Sequence, residues 1–287
     1  MSSFVQIRTG ETSAQVAQEK EQRLCTQLSG LSSVIVALSG GIDSAYLSWA
    51  AHRVLGARAL SVTAISASYS AFDREQVESF IRASGVHHEF VETHELENPA
   101  YRANDSSRCY YCKDELFTVL DSLAALRQIG AIAYGVNADD TSDFRPGQRA
   151  AAEHRVLTPL LDAQLHKPEI RFLAQRAGIP MWNRPASACL SSRLPYGTEV
   201  TPERLRLIER GEEVLRRLGF RQFRVRLHDA LGRVEIAPDE LERALTAEMA
   251  HQIASGLKRA GFEYVTLDLE GYRQGSLNEN LAKSQGT

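Results

Sequence analysis

Several hallmarks of other protein classes are missing from this 287-residue chain. No apolar run approaches about 18 residues, so we expect no membrane-spanning helix and no membrane partner. The first residues lack a basic segment followed by an apolar one, so we expect no secretory signal and a cytoplasmic location. We also find no internal repeat and no long low-complexity tract.

Strong charge and abundant cysteine are absent as well. The net charge of −3 does not favour a general binder of nucleic acid, and we expect no nucleic-acid partner. The four cysteines, two of them in a Cys-x-x-Cys, fit a reducing compartment with metal or redox chemistry better than a disulfide framework. The eight histidines show no metal-ligand spacing, so we assign them surface or core roles.

The most informative segment is Ser39-Gly-Gly-Ile-Asp43-Ser44. Residues 34–38 before it are apolar and largely β-branched, which predicts a buried strand. Residues 45–55 after it carry apolar side chains at helical spacing. A glycine turn between a strand and a helix lets backbone N–H groups approach phosphate oxygens, and the helix dipole favours their negative charge. No Gly-Lys-Ser/Thr follows, so the segment is not a Walker loop.

This segment resembles the pyrophosphate loop (PP loop) of enzymes that split ATP between its α- and β-phosphates. The resemblance implies that a substrate oxygen attacks the α-phosphorus, that pyrophosphate leaves into the loop, and that an adenylated intermediate remains. It further implies that Asp43 is a Mg²⁺ ligand and that Ser39, Gly40, Gly41 and Ser44 hold the pyrophosphate. The alternative is an ordinary glycine turn with Asp43 as a first-turn acid of the helix.

Strand-like and helical segments alternate from residue 34 to about residue 136. Further strands are predicted at residues 59–65, 88–92 and 131–136, and helices at residues 73–83 and 114–129. Such alternation predicts an α/β fold with a parallel sheet and with ligands at the carboxyl ends of its strands. Ser66, Asn137 and Asp139 follow predicted strands and are therefore candidate ATP ligands. For Asn137 and Asp139 the alternative is that they cap the next segment.

The pattern changes after about residue 195. Helices are predicted at residues 203–218 and 239–260, a hairpin at residues 220–227 and 232–237, and a last strand at residues 264–269. We therefore predict a helical segment over residues 1–30, a PP-loop ATP pyrophosphatase domain of the adenine nucleotide α-hydrolase type over residues 31–194, and a smaller C-terminal α+β domain for substrate binding or oligomerisation over residues 195–287.

Three cysteines are candidate metal ligands. Cys109 and Cys112 come just before the predicted long helix, where the helix dipole together with Arg108 and Lys113 would lower their thiol pKa. The pair alone leaves zinc, a redox dithiol and an iron–sulfur cluster open, and the lack of a second such pair weakens zinc. If the fold brings Cys189 over the same strand ends, three thiolates could hold a [4Fe–4S] cluster with one open iron. The alternative is that Cys112 and Cys189 are small packing residues.

Several motifs occur together in the order found in one family. They are the PP loop and the segments at residues 108–113, 135–140, 143–147, 188–197 and 271–276. Over about residues 15–280 the chain resembles the LarE family of ATP-dependent sulfurtransferases, which help to build the nickel-pincer nucleotide cofactor. The resemblance implies adenylation of a carboxylate of pyridinium-3,5-biscarboxylic acid mononucleotide and its conversion to a thiocarboxylate, with AMP and pyrophosphate as by-products.

The LarE family has two versions that differ in their sulfur donor. In one version, a single cysteine that matches Cys189 gives up its own sulfur and is left as dehydroalanine. In the other, three cysteines hold a [4Fe–4S] cluster, and an extra sulfide on the open iron is donated from an unknown source. Because this chain also has Cys109 and Cys112, it resembles the second version. Lys113 would balance the negative charge that gathers when ATP meets a dicarboxylate.

A mononucleotide substrate needs cationic groups for its phosphate. Arg224 and Arg226 alternate with apolar neighbours, so a strand would place both guanidiniums on one face. Together with Ser192 and Arg193 they are our candidates for the substrate phosphate, and Glu212 is a further candidate for substrate binding. The alternative for the arginine pair is a solvated face of a hairpin.

Three other functions are compatible with a PP loop. A PP-loop tRNA thiolase would need a broad basic surface, which this acidic chain does not suggest. An ammonia-dependent amidating synthetase would have no use for three cysteines. A nucleotide sensor would bind ATP without adenylating anything. We expect a small-molecule nucleotide substrate, and the resemblance implies a homo-oligomer, since hexamers occur in the LarE family.

Overall fold

The computed structural model describes residues 3–142, 146–185 and 188–273, and the surroundings of side chains from residue 13 onward apart from residues 141 and 142. The described residues form two compact units. The first lies within residues 1–95 and 109–186, and the second within residues 96–108 and 187–287. The sequence predicts a division of another kind, into three segments with separate functions. That functional division remains a prediction.

Strands and helices alternate in the first unit, as the sequence predicts. Its elements are α1 (Ser3–Ser29), β1 (Val34–Ala37), α2 (Ile42–Leu55), β2 (Ala59–Ile65), α3 (Ala71–Ser84), β3 (His88–Glu92), α5 (Arg108–Arg127), β4 (Ile132–Tyr134), α6 (Pro146–Glu153), α7 (Pro159–Asp162) and α8 (Lys167–Arg176). The predicted bounds of β2 and β3 are correct. The helix predicted from residue 114 begins earlier, at Arg108. Among the described helices, none is long and apolar enough to cross a membrane.

The four strands form the predicted parallel sheet, in the order β3-β2-β1-β4. The chain moves outward on one side of β1 to reach β2 and β3, and it then returns to the other side of β1 for β4. The carboxyl end of β1 is therefore the point where the strand order reverses. In α/β sheets this is the usual place for a ligand. The PP loop lies at this point.

The core explains why β1 is so strongly apolar. Successive side chains of a strand point to opposite faces, and both faces of this sheet are covered by helices. Val34 and Val36 pack in one cluster with Leu28 of α1. Ile35 lies in a second cluster with Phe117 of α5. All these side chains are fully buried, so β1 holds the loop that follows it in a fixed position.

The second unit has the predicted α+β character. Its elements are α4 (Pro99–Arg102), a 3₁₀ helix (Leu190–Arg193), α9 (Pro202–Arg217), β5 (Phe223–His228), β6 (Leu231–Ile236), α10 (Pro238–Ala244), α11 (Ala247–Ala260) and β7 (Tyr264–Leu267). β5 and β6 form the predicted hairpin, and β7 adds in parallel to β6. The single helix predicted at residues 239–260 is wrong. Thr246 ends that run because its hydroxyl caps α11 by accepting from the Met249 N–H at 3.3 Å.

A close backbone contact joins β4 to the PP loop. A Cβ atom placed on Gly135, just after β4, would lie 2.7 Å from Ser44 N and 2.9 Å from Ser44 Cα. The obstacle is backbone, which cannot rotate away as a side chain can. Only glycine therefore lets the chain after β4 pass this close to the first turn of α2.

We predict that Gly135→Ala lowers the free energy of unfolding by about 1–3 kcal/mol, because the new methyl group overpacks against Ser44. Urea unfolding followed by circular dichroism measures the change. Gly30→Ala is the matched control, since its Cβ would meet only Gln27 O, at 3.5 Å. The control should be neutral or stabilising by up to about 1 kcal/mol. Equal losses in the two variants would contradict the prediction.

Candidate functional site

The PP loop is closed by the hydroxyl group of Ser44. Ser44 Oγ accepts a hydrogen bond from the Ser39 N–H at 3.1 Å and donates one to Gly41 O at 2.9 Å. Gly40 has φ +83°, a left-handed conformation that favours glycine. The first N–H groups of α2 have no acceptor within their own helix, so they face the loop as an anion site. Ser39, Gly40, Gly41 and Ser44 thus lie together as predicted, while their contact with pyrophosphate stays a prediction.

Asp43 lies in the first turn of α2 and forms an ion pair with Lys167. Burial raises the pKa of the Asp43 carboxyl, and the adjacent Lys167 opposes this only in part, so the pKa lies above its ordinary value. Oδ1 of Asp43 is buried and, among the described residues, has no hydrogen-bond partner. An unpartnered carboxylate oxygen is a ligand that Mg²⁺ prefers. Asp43 therefore fits the predicted metal-binding role.

Lys167, the first residue of α8, was not among the site residues predicted from the sequence. Its backbone N–H donates to Asp139 Oδ2 at 2.7 Å, and His166 Nδ1 lies 2.6 Å from Asp139 Oδ1. The His166 hydrogen bond, followed by that of the Lys167 N–H, holds the pKa of Asp139 below its usual range. Asp139 thus has the contacts of a helix-capping residue, which is the alternative considered above. A contact of Asp139 with ATP stays a prediction.

Asn137 is buried at the carboxyl end of β4. Its Oδ1 accepts from the Asp139 N–H at 2.9 Å, and its own N–H donates to Asp140 Oδ2 at 3.1 Å. The next residue, Ala138, donates its N–H to Leu165 O at 2.9 Å. The turn after β4 therefore ties β4 to the segment that carries Lys167. Asn137 shapes this turn, and its predicted contact with ATP is untested.

Ser66 follows β2, where the sequence predicts an ATP ligand. The hydroxyl groups of Ser66 and Ser68 both donate to Oε1 of Glu95, a buried carboxylate that follows β3. Glu95 was not among the site residues predicted from the sequence. The one sequence feature that could have indicated Glu95 is its position as an acidic residue shortly after a predicted strand. Glu95 fixes the direction of both hydroxyl groups at this edge of the sheet.

Arg184 is a second cation at the loop that was not predicted from the sequence. Its Nη1 donates to Gly40 O at 2.9 Å, and its Nη2 pairs with Asp73 of α3. Its guanidinium also stacks 4.9 Å from the ring centre of Phe72. Three separate contacts fix this side chain, so Arg184 holds the glycine turn in shape. No local pattern marks it, because it lies far along the chain in a segment without periodicity.

Cys109 and Cys112 lie within the first two turns of α5, not before the helix as predicted. Residues three apart on a helix lie on the same face, so the two thiols are neighbours. Cys109 is exposed, Cys112 is half-buried, and both are free of disulfide bonds. Lys113 follows them, and α6 lies close to it: a Cβ on Gly147 would meet Lys113 Cγ at 2.9 Å.

Cys189 is an exposed free cysteine and belongs to the second unit. In residues 3–142, 146–185 and 188–273, no group of three or more His, Cys, Asp or Glu side chains forms a metal-binding arrangement. The gathering of three thiolates therefore stays a prediction. Of the motifs that suggested a family, residues 143–145 and 274–276 lie outside the described residues.

Arg193 and Glu212 form a buried ion pair in the second unit. Arg193 Nε and Nη2 donate to the two Glu212 oxygens at 2.8 and 3.1 Å, and Nη1 donates to Cys189 O at 2.9 Å. Burial alone would raise the pKa of Glu212. The charge and hydrogen bonds of Arg193, with a smaller contribution from Arg224, outweigh it and hold that pKa below its ordinary value.

Arg224 and Arg226 are buried on β5, so the alternative of a solvated hairpin face is wrong. Arg226 Nε and Nη2 donate to Glu235 at 2.9 and 3.0 Å, and its Nη1 donates to Ser192 O at 2.7 Å. Burial and then the neighbouring charge of Arg193 lower the pKa of Arg224 to about 10.

The predicted substrate residues Ser192, Arg193, Glu212, Arg224 and Arg226 therefore lie together; with Glu235 they form what we call the arginine cluster. Its three guanidiniums exceed its two carboxylates, Glu212 and Glu235. Buried positive charge in excess favours an anion. The arginine cluster thus has the charge that a phosphate site requires.

No protein-family model matches the chain. The chain is 34% identical over 269 residues to the pyridinium-3,5-bisthiocarboxylic acid mononucleotide synthase of Lactiplantibacillus plantarum, a match that covers 93% of this chain and 96% of that protein. It is 42% identical over 253 residues to an uncharacterised protein of Synechocystis, covering 88% and 94%. An uncharacterised protein of Methanocaldococcus jannaschii is 32% identical over 170 residues, covering 59% and 66%.

We predict that Glu212→Gln lowers the free energy of unfolding by about 3–5 kcal/mol near neutral pH, because Arg193 is left buried without its counter-ion. The folded-state pKa of Glu212 lies below its ordinary 4.5, so the ionised form stabilises the fold above that pH. The loss should therefore shrink as the pH falls through the folded-state pKa. Urea unfolding of wild type and variant at a series of pH values measures it.

The neighbouring Glu213→Gln serves as the control for this prediction. Glu213 pairs with Arg216 and Arg217 on the exposed side of α9, where an ion pair contributes about 1 kcal/mol or less. A Glu212 variant that is no less stable than the Glu213 variant would show that the buried pair does not stabilise the second unit.

Proposed function

Since this chain belongs to the LarE family of pyridinium-3,5-bisthiocarboxylic acid mononucleotide synthases, we propose that it inserts sulfur into the carboxylate groups of a pyridinium mononucleotide. The observation that carries the proposal is 34% identity to a synthase of that name, extending over 93% of this chain. The match includes both units, so it supports the complete reaction and not nucleotide binding alone.

We propose that ATP activates the substrate by adenylation. A carboxylate oxygen of the substrate attacks the α-phosphorus of ATP, the bond to the bridging oxygen of pyrophosphate breaks, and an acyl adenylate remains. A hydrosulfide ion then attacks the carboxyl carbon, AMP leaves with the substrate oxygen that had attacked the phosphorus, and a proton is released. The product is a thiocarboxylate, and a second round would convert the other carboxylate of pyridinium-3,5-biscarboxylic acid mononucleotide.

The contacts of the PP loop support its part in this reaction. Ser39, Gly40, Gly41 and Ser44 would bind the pyrophosphate group with the N–H groups at the start of α2. Asp43 would hold Mg²⁺ through its unpartnered Oδ1. The metal ion would neutralise charge on the triphosphate and so favour attack at the α-phosphorus.

The arginine cluster supports binding of the substrate phosphate in the second unit. Arg193 and Arg226 are each held by a carboxylate in bidentate geometry, so their guanidiniums keep a fixed direction. Burial and then the charge of Arg193 lower the pKa of Arg224, and a phosphate nearby would favour its charged form. Lys113, in the first unit, would balance negative charge where ATP and the dicarboxylate meet.

For the sulfur donor we propose a [4Fe–4S] cluster held by Cys109, Cys112 and Cys189. The exposed or half-buried positions of the three cysteines and the single helix face of Cys109 and Cys112 fit a thiolate ligand set. Such a cluster would supply an open iron on which a sulfide can be carried. The second candidate is Cys189 as a sacrificial donor, which its exposed side chain also permits. A homo-oligomer in the cytoplasm remains part of the proposal.

The function is tested by supplying ATP, Mg²⁺, sulfide and pyridinium-3,5-biscarboxylic acid mononucleotide to the anaerobically purified protein. We expect pyrophosphate release that depends on the substrate, together with a thiocarboxylate product identified by mass spectrometry. A tRNA thiolase would instead require tRNA, an amidating synthetase would require ammonia, and a nucleotide sensor would release no pyrophosphate. Any of these three results would overturn the proposal.

We predict that Cys109→Ser, Cys112→Ser and Cys189→Ser each lose bound iron and product formation, because each removes one cluster ligand. Cys25→Ser is the control and should keep both, since Cys25 lies on α1, away from the other three in the chain. Iron and sulfide assays on the anaerobic protein measure the cluster. An iron-free wild type that loses one H₂S from the peptide holding Cys189 during turnover would show the sacrificial route instead.

We predict that Arg224→Met raises the KM for the mononucleotide substrate about tenfold or more, because a hydrogen bond between charged groups is lost. Steady-state pyrophosphate release measures KM for the substrate and for ATP separately. The KM for ATP should change little. Arg221→Met, an exposed arginine just before β5, is the control and should leave both values unchanged. A rise in the KM for ATP alone would exclude Arg224 from the phosphate site.

A further inference from the structure

We propose that Lys167 is an exchangeable counter-ion of the PP loop. It neutralises Asp43 in the absence of Mg²⁺, and it binds the pyrophosphate group once Mg²⁺ takes the Asp43 carboxylate. The inference rests on one part of the proposed function, the binding of ATP by the PP loop. It does not depend on the sulfur chemistry or on the identity of the adenylated substrate.

The backbone of Lys167 is fixed beside the loop. Its N–H donates to Asp139 Oδ2 at 2.7 Å, and the N–H of His166 donates to Glu169 Oε2 at 2.9 Å. The N–H of Ala138 donates to Leu165 O and links the same segment to the carboxyl end of β4. Only the flexible side chain of Lys167 is therefore left to move. The backbone of Lys167 stays beside the first turn of α2 whichever partner the ammonium group binds.

The exposure of the ion pair allows it to exchange partners. The side chains of Lys167 and Asp43 are 31% and 15% exposed, whereas those of Arg193 and Glu212 are 2% and 7% exposed. A partly exposed ion pair contributes little to the free energy of folding. Breaking a fully buried ion pair, by contrast, leaves an uncompensated buried charge. Mg²⁺ and a phosphate group together can therefore replace the Lys167–Asp43 pair with only a small loss of stabilising free energy.

Lys167 differs from the other cation that contacts the loop in the described residues. Arg184 is held by Gly40 O, by Asp73 and by stacking on Phe72, and its role is to keep the loop in shape. Lys167 carries a compact ammonium group with three donors on a flexible stem. The loop is thus contacted by one fixed cation, Arg184. The other cation, Lys167, can change its binding partner when the charges in the site change.

The charges around Asp43 explain why such a cation is needed. The Asp140 carboxylate lies close enough to add its negative charge to that of Asp43. A triphosphate adds several more negative charges. A cation that contacts the leaving pyrophosphate offsets this repulsion and stabilises the charge that develops as the α–β phosphate bond breaks.

The test measures binding to the purified protein without its organic substrate, using Mg²⁺–pyrophosphate, AMP and Mn²⁺ as probes. Lys167→Met should weaken pyrophosphate binding about tenfold or more, and AMP binding less than about threefold. The same variant should bind Mn²⁺ about threefold or more tightly, because the ion no longer competes with an ammonium group for Asp43. Isothermal titration measures the anions, and electron paramagnetic resonance measures free Mn²⁺.

The opposite signs of the two changes separate this role from a structural one, since a misfolded loop would weaken every ligand. Lys20→Met is the matched control because Lys20 forms an ion pair with Glu169 of the same helix, α8. It should leave all three affinities unchanged. Lys167→Arg keeps the charge and should retain pyrophosphate binding within about threefold. Should Lys167→Met not fold, Lys167→Gln provides the same comparison with a polar side chain.

Weaker Mn²⁺ binding in the Lys167→Met variant would overturn the proposal, as would an equal loss of AMP and pyrophosphate binding. A wild-type protein that binds no Mg²⁺–pyrophosphate would overturn both this proposal and the PP-loop assignment. If the affinities change as expected but the protein forms no thiocarboxylate, the proposed role of Lys167 is supported and the proposed sulfur insertion is wrong. The two failures are therefore distinguishable.

Discussion

The site depends on the packing of one backbone segment against another at the end of β4. The N–H groups of the PP loop can bind an anion only if the loop keeps one conformation, and three neighbours impose it. Ser44 closes the loop with its hydroxyl group, Arg184 holds Gly40 O, and Gly135 lets the chain after β4 reach the Ser44 backbone. Because none of these contacts requires a ligand, the loop is organised for an anion without one.

Two kinds of ion pair near the candidate site, among the described residues, have different consequences. The Arg193–Glu212 and Arg226–Glu235 pairs are buried and bidentate, so they keep the guanidiniums of Arg193 and Arg226 in place. Lys167–Asp43 is partly exposed and joins a flexible side chain to a carboxylate with an unpartnered oxygen. The first kind suits a ligand that must be held in one orientation. The second suits a reaction in which charge moves from one group to another.

The sequence predicted those features that depend on local patterns. The strands were recognisable because buried parallel strands are continuously apolar, and the PP loop because glycine and a helix start occur together in the chain. Lys167, Arg184 and Glu95 were missed because their roles arise from contacts with residues 27 to 144 positions away, and each looks like an ordinary surface charge. The break at Thr246 was missed because a helix pattern continues across it.

The exposure of the cysteines bears on the choice between packing and chemistry. A cysteine retained for packing is normally buried, yet Cys109 and Cys189 are exposed and Cys112 is only half-buried. Cys109 and Cys112 also share one face near the start of α5. A sacrificial donor would require Cys189 alone and would leave this pair without a role. Ligation of a metal cluster gives a role to all three cysteines, which is why we favour it.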